Sequence, residues 1–144
     1  LEECFNLANS YNDFAYQVEM TIATGDEGGL IFRSDGIDPN HNPFSTNYYL
    51  FSIGHDGHYS LSYHSNKPLA LLTSGSSLAI KSGLNQSNLL TVIARGSNIS
   101  LYVNREYIPS VTDSNRSSGA IGVFAQDDGN PTDIAFSNAQ LWNL

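Results

Sequence analysis

The sequence predicts an all-β protein in which two antiparallel sheets pack as a sandwich. Short segments with alternating apolar and polar residues recur along the 144 residues, and this two-residue period is typical of strands buried on one face. Glycine, asparagine and aspartate separate these segments at turn positions. Since no segment shows a convincing helical period, the pattern favours a β-sandwich.

The clearest strand covers residues 14–22, where apolar side chains alternate with smaller or polar ones. The apolar positions are Phe14, Tyr16, Val18, Met20 and Ile22. A glycine-rich turn at residues 25–29 leads to a second predicted strand at residues 30–33. The long loop that follows contains Pro39, His41 and Pro43, and we expect it to form the rim of a site.

Residues 48–64 predict a β-hairpin around His55-Asp56-Gly57, for which two registers are conceivable. A two-residue Asp-Gly turn would mix apolar and polar residues on each face. A three-residue loop with Gly57 in the left-handed conformation gives one wholly apolar face, and we therefore predict this register. The opposite face then carries Tyr48, Leu50, Ser52, Gly54, His58, Ser60, Ser62 and His64.

A second hairpin is predicted at residues 90–103, with a two-residue loop at Gly96-Ser97. This register aligns the apolar residues of the two strands, beginning with Leu90 opposite Val103. The other face then carries Thr91, Ile93, Arg95, Ser100, Tyr102 and Asn104.

The remaining strands are predicted at residues 107–109, 121–125 and 134–142. Pro109 indicates an edge strand or a bulge because proline cannot donate a backbone hydrogen bond. Residues 69–90 are ambiguous, since their apolar density would also support a short helix, but their glycines and serines favour strand and loop.

Length and charge restrict the function classes. A chain of 144 residues and 15.7 kDa is one domain, so we predict a single sandwich domain over residues 1–144, with 1–13 as a peripheral lead-in, within a larger protein. Six basic and fourteen acidic residues give a formal charge of −8. This charge repels phosphate backbones and anionic lipid, so nucleic acid binding and membrane insertion are not expected. The single cysteine, Cys4, has no internal disulfide partner.

Several segments resemble the concanavalin A-like jelly-roll superfamily, in particular its laminin G-like and keto-disaccharide-hydrolase-like sandwich modules from bacterial surface and sensor proteins. The resemblance is carried by residues 28–33, 48–51, 101–104, 119–123 and 136–142. It implies an antiparallel jelly roll, an extracellular or cell-surface location, and carbohydrate binding, often with calcium. Arg105 departs from the family pattern, which has glycine in the turn after the Val-Asn pair.

The polar face of the first hairpin is the predicted recognition site. Sugars combine an apolar ring face with hydroxyls, so their sites pair aromatic platforms with hydrogen-bonding groups. The candidate ligand-binding residues are Arg33, Asp35, Tyr48, His58, His64 and Tyr102. We expect a tyrosine to stack on the sugar while Arg33 binds its hydroxyls, so that Arg33→Ala abolishes binding without unfolding the domain. The alternative is an ordinary solvated sheet face.

Two acidic loops form a candidate calcium site. In jelly rolls of this kind the first and last strands are antiparallel neighbours, which would bring Thr24 beside Ile134. The oxygen ligands would then be Asp26, Glu27, Asp127, Asp128 and Asp133. The alternative is a solvated acidic end of the domain, because no Asp-x-Asp-x-Asp-Gly run is present. Zinc is not favoured, because the four histidines lack a zinc-binding spacing.

Catalysis has no motif in this sequence. The Glu-x-Asp-x-x-Glu strand of sandwich glucanases, the Gly-x-Ser-x-Gly elbow and the phosphate loop are all missing. A glycoside or keto-disaccharide hydrolase remains an alternative, in which case replacing Asp35, Asp56 or Asp127 by asparagine would stop the release of reducing sugar. A structural or protein-binding domain is the second alternative. The favoured function is non-catalytic carbohydrate binding.

Overall fold

Eleven β-strands and no helix make up the described part of the computed structural model. The structure describes residues 2–35, 47–126, 129 and 131–144, and for residues 2–8 it describes the backbone alone. The strands are β1 (Glu2–Tyr11), β2 (Phe14–Thr24), β3 (Glu27–Ser34), β4 (Tyr48–Gly54), β5 (His58–His64), β6 (Ala70–Ser76), β7 (Ser87–Arg95), β8 (Asn98–Val103), β9 (Glu106–Thr112), β10 (Gly119–Gln126) and β11 (Asp133–Asn143).

These strands form two antiparallel sheets. The six-stranded sheet has the order β1-β10-β3-β4-β5-β6, and the five-stranded sheet has the order β11-β2-β7-β8-β9. The predicted antiparallel jelly-roll sandwich is confirmed. Within the described residues no apolar helix has the length needed to cross a lipid bilayer.

The core lies between the sheets and is filled by alternate side chains of each. Strand β2 alternates between buried and partly exposed residues along nearly its whole length, as the two-residue period predicted. Its buried side chains pack against those of β7 and β8 and against the six-stranded sheet. Each large apolar side chain buried in this way stabilises the fold by about 1.5–3 kcal/mol.

The first hairpin has the predicted register. Phe51 lies opposite Leu61, and Ile53 lies opposite Tyr59. Gly57 has a φ of 86°, the left-handed conformation that the three-residue loop requires.

The second hairpin also has the predicted register, with Leu90 opposite Val103 and Arg95 opposite Asn98. The next turn, between β8 and β9, places Asn104 at φ 53° and Arg105 at φ 68°. Strand β9 lies at the edge of the five-stranded sheet, as Pro109 indicated.

Strand β2 pairs with β11 as predicted, with Thr24 opposite Asp133, the residue before Ile134. Two other regions extend the expectations. Residues 2–11, expected to belong to a peripheral lead-in, form strand β1, which pairs with β10 at the sheet edge. This strand was missed because its sequence lacks a regular alternation of apolar and polar residues. In the ambiguous segment, residues 70–76 form β6.

Candidate functional site

The outer face of the six-stranded sheet carries the residues predicted for the polar face of the first hairpin. Tyr48 lies opposite His64, and Ser52 lies opposite Ser60, so these side chains share a face. The rings of Tyr48 and His64 stack with centroids 4.6 Å apart and planes 8° apart. Ser62 Oγ lies 3.1 Å from Nε2 of His64. This pair is the only place where two predicted ligand-binding side chains meet among the described residues.

Apolar side chains pack together at the end of this face that contains Tyr48. Ile31, Tyr48, Leu50 and Phe124 form a buried cluster that is separate from the main core. Tyr48 is only 5% exposed, and its ring is therefore not open to a ligand. The expectation that a tyrosine of this face stacks on a sugar is therefore wrong for Tyr48. Burial also lowers the pKa of His64.

Arg33 is a structural residue and not an exposed sugar ligand. It is fully buried, and its guanidinium donates hydrogen bonds to the carbonyl oxygens of Asn12, Gly96 and Arg116. Asp13 lies 3.8 Å away. Burial lowers the pKa of Arg33, and the charges of Tyr49 and Asp13 partly oppose this shift. The expectation that Arg33 faces the ligand is therefore wrong, because all its donors point into the protein.

Asp35 joins the two sides of the connection between β3 and β4. Its carboxylate accepts hydrogen bonds from the backbone and side-chain nitrogens of Asn47, at 3.1 and 2.6 Å. The backbone N of Asp35 donates to Asn47 O at 3.0 Å. Asp35 therefore fixes the base of this connection. The predicted rim at residues 39–43, with His41, lies outside the described residues.

Tyr102 lies on the other sheet. It is in β8 of the five-stranded sheet, whereas Tyr48 and His64 lie in β4 and β5 of the six-stranded sheet. The expected convergence of these residues is wrong because the sequence did not reveal which hairpin enters which sheet.

A pocket of about 340 Å³ lies beside the β4–β5 turn, at the end of the outer face away from the Tyr48–His64 stack. We call it the hairpin pocket, and its lining residues are Asp26, Glu27, Gly54, His55, Asp56 and His58. Three carboxylates and two imidazoles thus surround one recess. His58 and His64 are six residues apart along β5, which corresponds to about 20 Å, so His58 belongs to the pocket and not to the stack.

Backbone and side-chain hydrogen bonds hold the pocket in shape. The amide of His55 donates to Asp26 O at 3.2 Å, and the amide of Gly83 donates to His55 O at 2.6 Å. Asp56 Oδ1 accepts the amide of His58 at 3.1 Å, and Ser76 Oγ lies 3.4 Å from Nδ1 of His58. The turn that carries these side chains is therefore anchored to the loops on both sides.

A short polar chain leads from the pocket along the outer face. Ser52 Oγ donates to Glu27 Oε2 at 3.3 Å and lies 2.8 Å from Ser60 Oγ. On the other side of the pocket, Nε2 of His55 lies 4.0 Å from Oδ1 of Asp26. Since Ser52 is buried, this chain holds the Glu27 carboxylate in place at the edge of the pocket.

The two connections that carry the predicted calcium ligands lie at the same end of the sandwich, since Thr24 pairs with Asp133 and Glu27 pairs with Gln126. Asp26 and Glu27 line the hairpin pocket, whereas Asp133 is paired with Thr24 on the five-stranded sheet. Asp127 and Asp128 lie outside the described residues. Among the residues whose placement is described, no three His, Cys, Asp or Glu side chains are arranged to hold a metal ion. Calcium binding remains a prediction.

From the sequence, His55 and Asp56 are predicted turn residues, and Asp56 is also a candidate carboxylate of the alternative hydrolase; the structure makes both part of the pocket. The signal that could have found them is the hairpin register itself, because it fixes which residues flank the left-handed Gly57. What the sequence did not show is that Asp26 in the β2–β3 turn and Glu27 at the start of β3 lie against the same hairpin.

Comparisons with solved structures identify the architecture. The carbohydrate binding module CBM66 from Bacillus subtilis is 22% identical, with coverage of 96% of this chain and 81% of that chain and a TM-score of 0.78. Sheep galectin-11 is 10% identical, with coverage of 98% and 96% and a TM-score of 0.67. A candidate glycosyl hydrolase from Parabacteroides distasonis is 14% identical, with coverage of 99% and 83% and a TM-score of 0.66. These likenesses show the fold, an antiparallel jelly-roll β-sandwich.

No protein-family model and no curated protein matches the chain. A jelly-roll fold carries different functions in different proteins, so function must follow from the residues of the site. Of the recesses of about 570, 460 and 340 Å³ that described residues line, the hairpin pocket has the most titratable side chains. It is therefore the candidate site.

Proposed function

We propose that the chain is a carbohydrate-binding module whose hairpin pocket holds one or two sugar units of an uncharged glycan. The observation that carries the proposal is the grouping of three carboxylates and two imidazoles around a recess of about 340 Å³. The likeness in fold to a carbohydrate binding module and to a galectin supports it.

The lining matches the hydrogen-bonding chemistry of sugars. Carboxylates accept hydrogen bonds from neighbouring hydroxyls, and charge-assisted bonds of this kind are stronger than neutral ones. Imidazoles donate or accept according to their tautomer. The pocket volume lies near the lower end of the range for ligand pockets, about 300–1,000 Å³, and this size favours a chain end over a long internal stretch of polysaccharide.

The charge of the lining selects the class of sugar. Asp26, Glu27 and Asp56 line the pocket without any lysine or arginine. An anionic sugar would be repelled by these carboxylates and would find no cationic partner. We therefore expect neutral glycans to bind and uronic or sialic acids to be rejected.

A glycan-array screen followed by titration calorimetry tests this proposal. We expect Asp56→Asn and His58→Ala to weaken the best array ligand by about tenfold or more, the effect of losing one strong hydrogen bond. The Asp56→Asn side chain retains an oxygen that can accept the His58 amide, so the turn is preserved. Glu106→Gln, which removes an exposed carboxylate on β9 of the other sheet, is the matched control and should bind normally.

The screen also tests the proposed calcium dependence when it is run with calcium and again with a chelator. Loss of binding in the chelator would support a calcium-assisted site, because oxygen ligands are available in the pocket. Equal binding in both conditions would exclude calcium from recognition and leave the sugar site in place. An array without any neutral glycan hit, or equal affinities for Asp56→Asn and Glu106→Gln, would overturn the proposed function.

Hydrolysis is a second candidate because glycosidases need two carboxylates beside one bond, and the pocket contains three. Incubation of the bound glycan with the protein, followed by an assay for reducing ends, separates the two functions. We expect no release. Release that disappears in Asp56→Asn would establish an enzyme and overturn the non-catalytic assignment.

A further inference from the structure

The outer face of the five-stranded sheet contains a row of uncharged hydrogen-bonding side chains that crosses all five strands. From β11 to β9, the strand pairings place these residues side by side. The row consists of Gln140, Gln17, Thr91, Tyr102 and Tyr107. Because neighbouring strands lie about 4.8 Å apart, the row is about 19 Å long.

A second row runs parallel to the first, two residues away from it on each of β11, β2, β7 and β8. It consists of Trp142, Ala15, Ile93, Ser100 and Ser110. Cross-strand partners share a face, so both rows point away from the core. We call the ten residues of the two rows the uncharged face.

The uncharged face contains no acidic or basic residue, although the chain has fourteen acidic and six basic residues. On β2 and β7 the next outward-facing positions are Glu19 and Arg95, which lie one step outside the rows. An ionic partner would thus find no opposite charge on this face. The face suits a partner without charge.

Aromatic side chains lie at both ends of the uncharged face. Trp142 is 47% exposed at the β11 end, and Tyr107 is 57% exposed at the β9 end. Tyr107 meets Tyr102 edge to face with centroids 5.7 Å apart. Exposed indole and phenol rings of this kind contact the apolar faces of ligand rings while their polar atoms bond to hydroxyls.

Neighbouring side chains hold several of these groups in position. Gln17 Nε2 donates to Gln140 Oε1 at 2.9 Å, and the Tyr107 hydroxyl donates to Ser110 Oγ at 2.8 Å. A face whose side chains are already ordered loses less conformational entropy when it binds. The amides and hydroxyls that remain can both donate and accept.

We propose that the uncharged face binds a neutral polysaccharide chain lying across the five strands. Its dimensions, aromatic ends and hydroxyl-matching groups suit an extended chain of several sugar rings, whereas the hairpin pocket suits a chain end. The hairpin pocket is in the opposite sheet. The two sites therefore act independently, and one module would hold two separate portions of glycan.

Affinity gel electrophoresis tests this proposal with dextran, inulin, mixed-linkage β-glucan and xyloglucan in the gel. We expect at least one polysaccharide to retard the protein. Trp142→Ala should lower the affinity measured from that retardation by about tenfold, the effect of removing one aromatic anchor. Gln17→Glu should weaken it as well, because it places a charge within the row. Both variants change exposed or half-exposed side chains, so folding is expected to be unaffected.

Matched controls lie elsewhere on the surface. Leu78 is fully exposed, so Leu78→Ala removes an exposed apolar side chain outside the face. Gln86→Glu repeats the charge change at an exposed residue before β7. Both controls should be retarded like the unmodified chain. Calorimetry with the short ligand of the hairpin pocket should give the same affinity for all four variants, which distinguishes failure of one site from failure of the other.

Three results would overturn the proposal. The first is unchanged retardation of Trp142→Ala and Gln17→Glu in every gel that retards the unmodified chain. The second is no retardation by any of the four polysaccharides. The third is a dimer in sedimentation analysis that Gln17→Glu dissociates while polysaccharide retardation is unaffected, since the occupant of the face would then be a second copy of the chain.

Discussion

The guanidinium of Arg33 donates a hydrogen bond to the carbonyl oxygen of Gly96 at 2.8 Å, across 63 residues of sequence. The same guanidinium bonds to Asn12 O, which lies between β1 and β2, and to Arg116 O, which lies between β9 and β10. Since Gly96 lies in the β7–β8 turn, one buried side chain joins three connections at this end of the sandwich.

Replacement of Arg33 should therefore destabilise the domain. Arg33→Ala removes a fully buried side chain, opens a cavity and leaves three carbonyl oxygens without their donors, which together cost about 2–5 kcal/mol. We expect Arg33→Ala to lower the free energy of unfolding by this amount in urea titrations, or to prevent folding. Arg33→Lys should be less harmful, since it retains the charge but not the planar fork of donors.

Arg95 provides the control for this prediction, because it is an exposed arginine at the end of β7. Arg95→Ala should change the free energy of unfolding by no more than about 0.5 kcal/mol. Equal stability of Arg33→Ala and Arg95→Ala would show that the Arg33 hydrogen bonds contribute little. It would also restore the earlier expectation that Arg33 can be removed without unfolding.

Tyr49 and Asp113 form a second link at this end of the sandwich. The buried Tyr49 hydroxyl donates to Asp113 and accepts the backbone N–H of Arg116 at 3.2 Å. Burial, followed by the hydrogen bond to Asp113, raises the pKa of Tyr49. Burial alone would raise the pKa of Asp113, but the hydrogen bonds from Tyr49 and Asn115 lower it.

Tyr49→Phe should destabilise the domain by about 1–3 kcal/mol at neutral pH, because it leaves buried polar partners unsatisfied. A carboxyl with a lowered pKa in the folded state contributes stability above its unfolded pKa and loses it as the pH falls. Tyr49→Phe should reduce this acid dependence, which thermal melts between pH 2 and 7 would measure. Tyr107→Phe, at an exposed phenol, should change neither property, and an equal effect of both variants would contradict the assignment.

His64 should make stability fall in mildly acidic solution. Burial lowers its pKa, so between the folded pKa and the usual unfolded value of about 6.5 the unfolded chain binds more protons. Stability from this source is complete above pH 6.5 and decreases as the pH falls through that value. His64→Gln should flatten the dependence of Tm on pH between about 5 and 7.

His55 is the matched control for the acid dependence, since it is an exposed histidine on the turn between β4 and β5. His55→Gln should leave the slope of Tm against pH as it is in the unmodified chain. If His64→Gln and His55→Gln give the same slope as the unmodified chain, the burial of His64 beside Tyr48 has no effect on stability.

The sequence predicted the sandwich and both hairpin registers because the two-residue period determines which side chains face the core. For example, the requirement that apolar residues share one face predicted that Phe51 lies opposite Leu61, and the structure has this register. The site was harder to predict because it depends on which sheet each hairpin joins. Tyr102 and Tyr48 both lie on outward faces but in different sheets. Local periodicity contains no information about that assignment.

The burial of Arg33 was unpredictable for a related reason. In the sequence it ends an apolar run, and a charged residue in this position is normally exposed. Its φ of 48° turns the backbone at the end of β3, and the acceptors that compensate its burial come from three distant loops. Only the tertiary structure brings those carbonyl oxygens together.

The β8–β9 turn offers a way to stabilise the domain. Both central residues have positive φ, Asn104 at 53° and Arg105 at 68°, as two-residue hairpin turns require. Asn104 is fixed by its side chain, which accepts the amide of Leu89 and donates to Ala79 O and Asn88 Oδ1. The side chain of Arg105 is exposed. A non-glycine residue in the left-handed conformation has a free-energy cost that glycine does not have.

Arg105→Gly should therefore raise the free energy of unfolding by about 1 kcal/mol, the lower part of the cost of a non-glycine residue in this conformation. The gain is reduced because glycine also increases the entropy of the unfolded chain. Urea titration measures the change, and Arg105→Ala is the control, since it removes the same side chain but retains the strain. Equal stabilisation by Arg105→Gly and Arg105→Ala would trace the gain to the lost guanidinium. A destabilised Arg105→Gly would show that backbone strain in this turn is negligible.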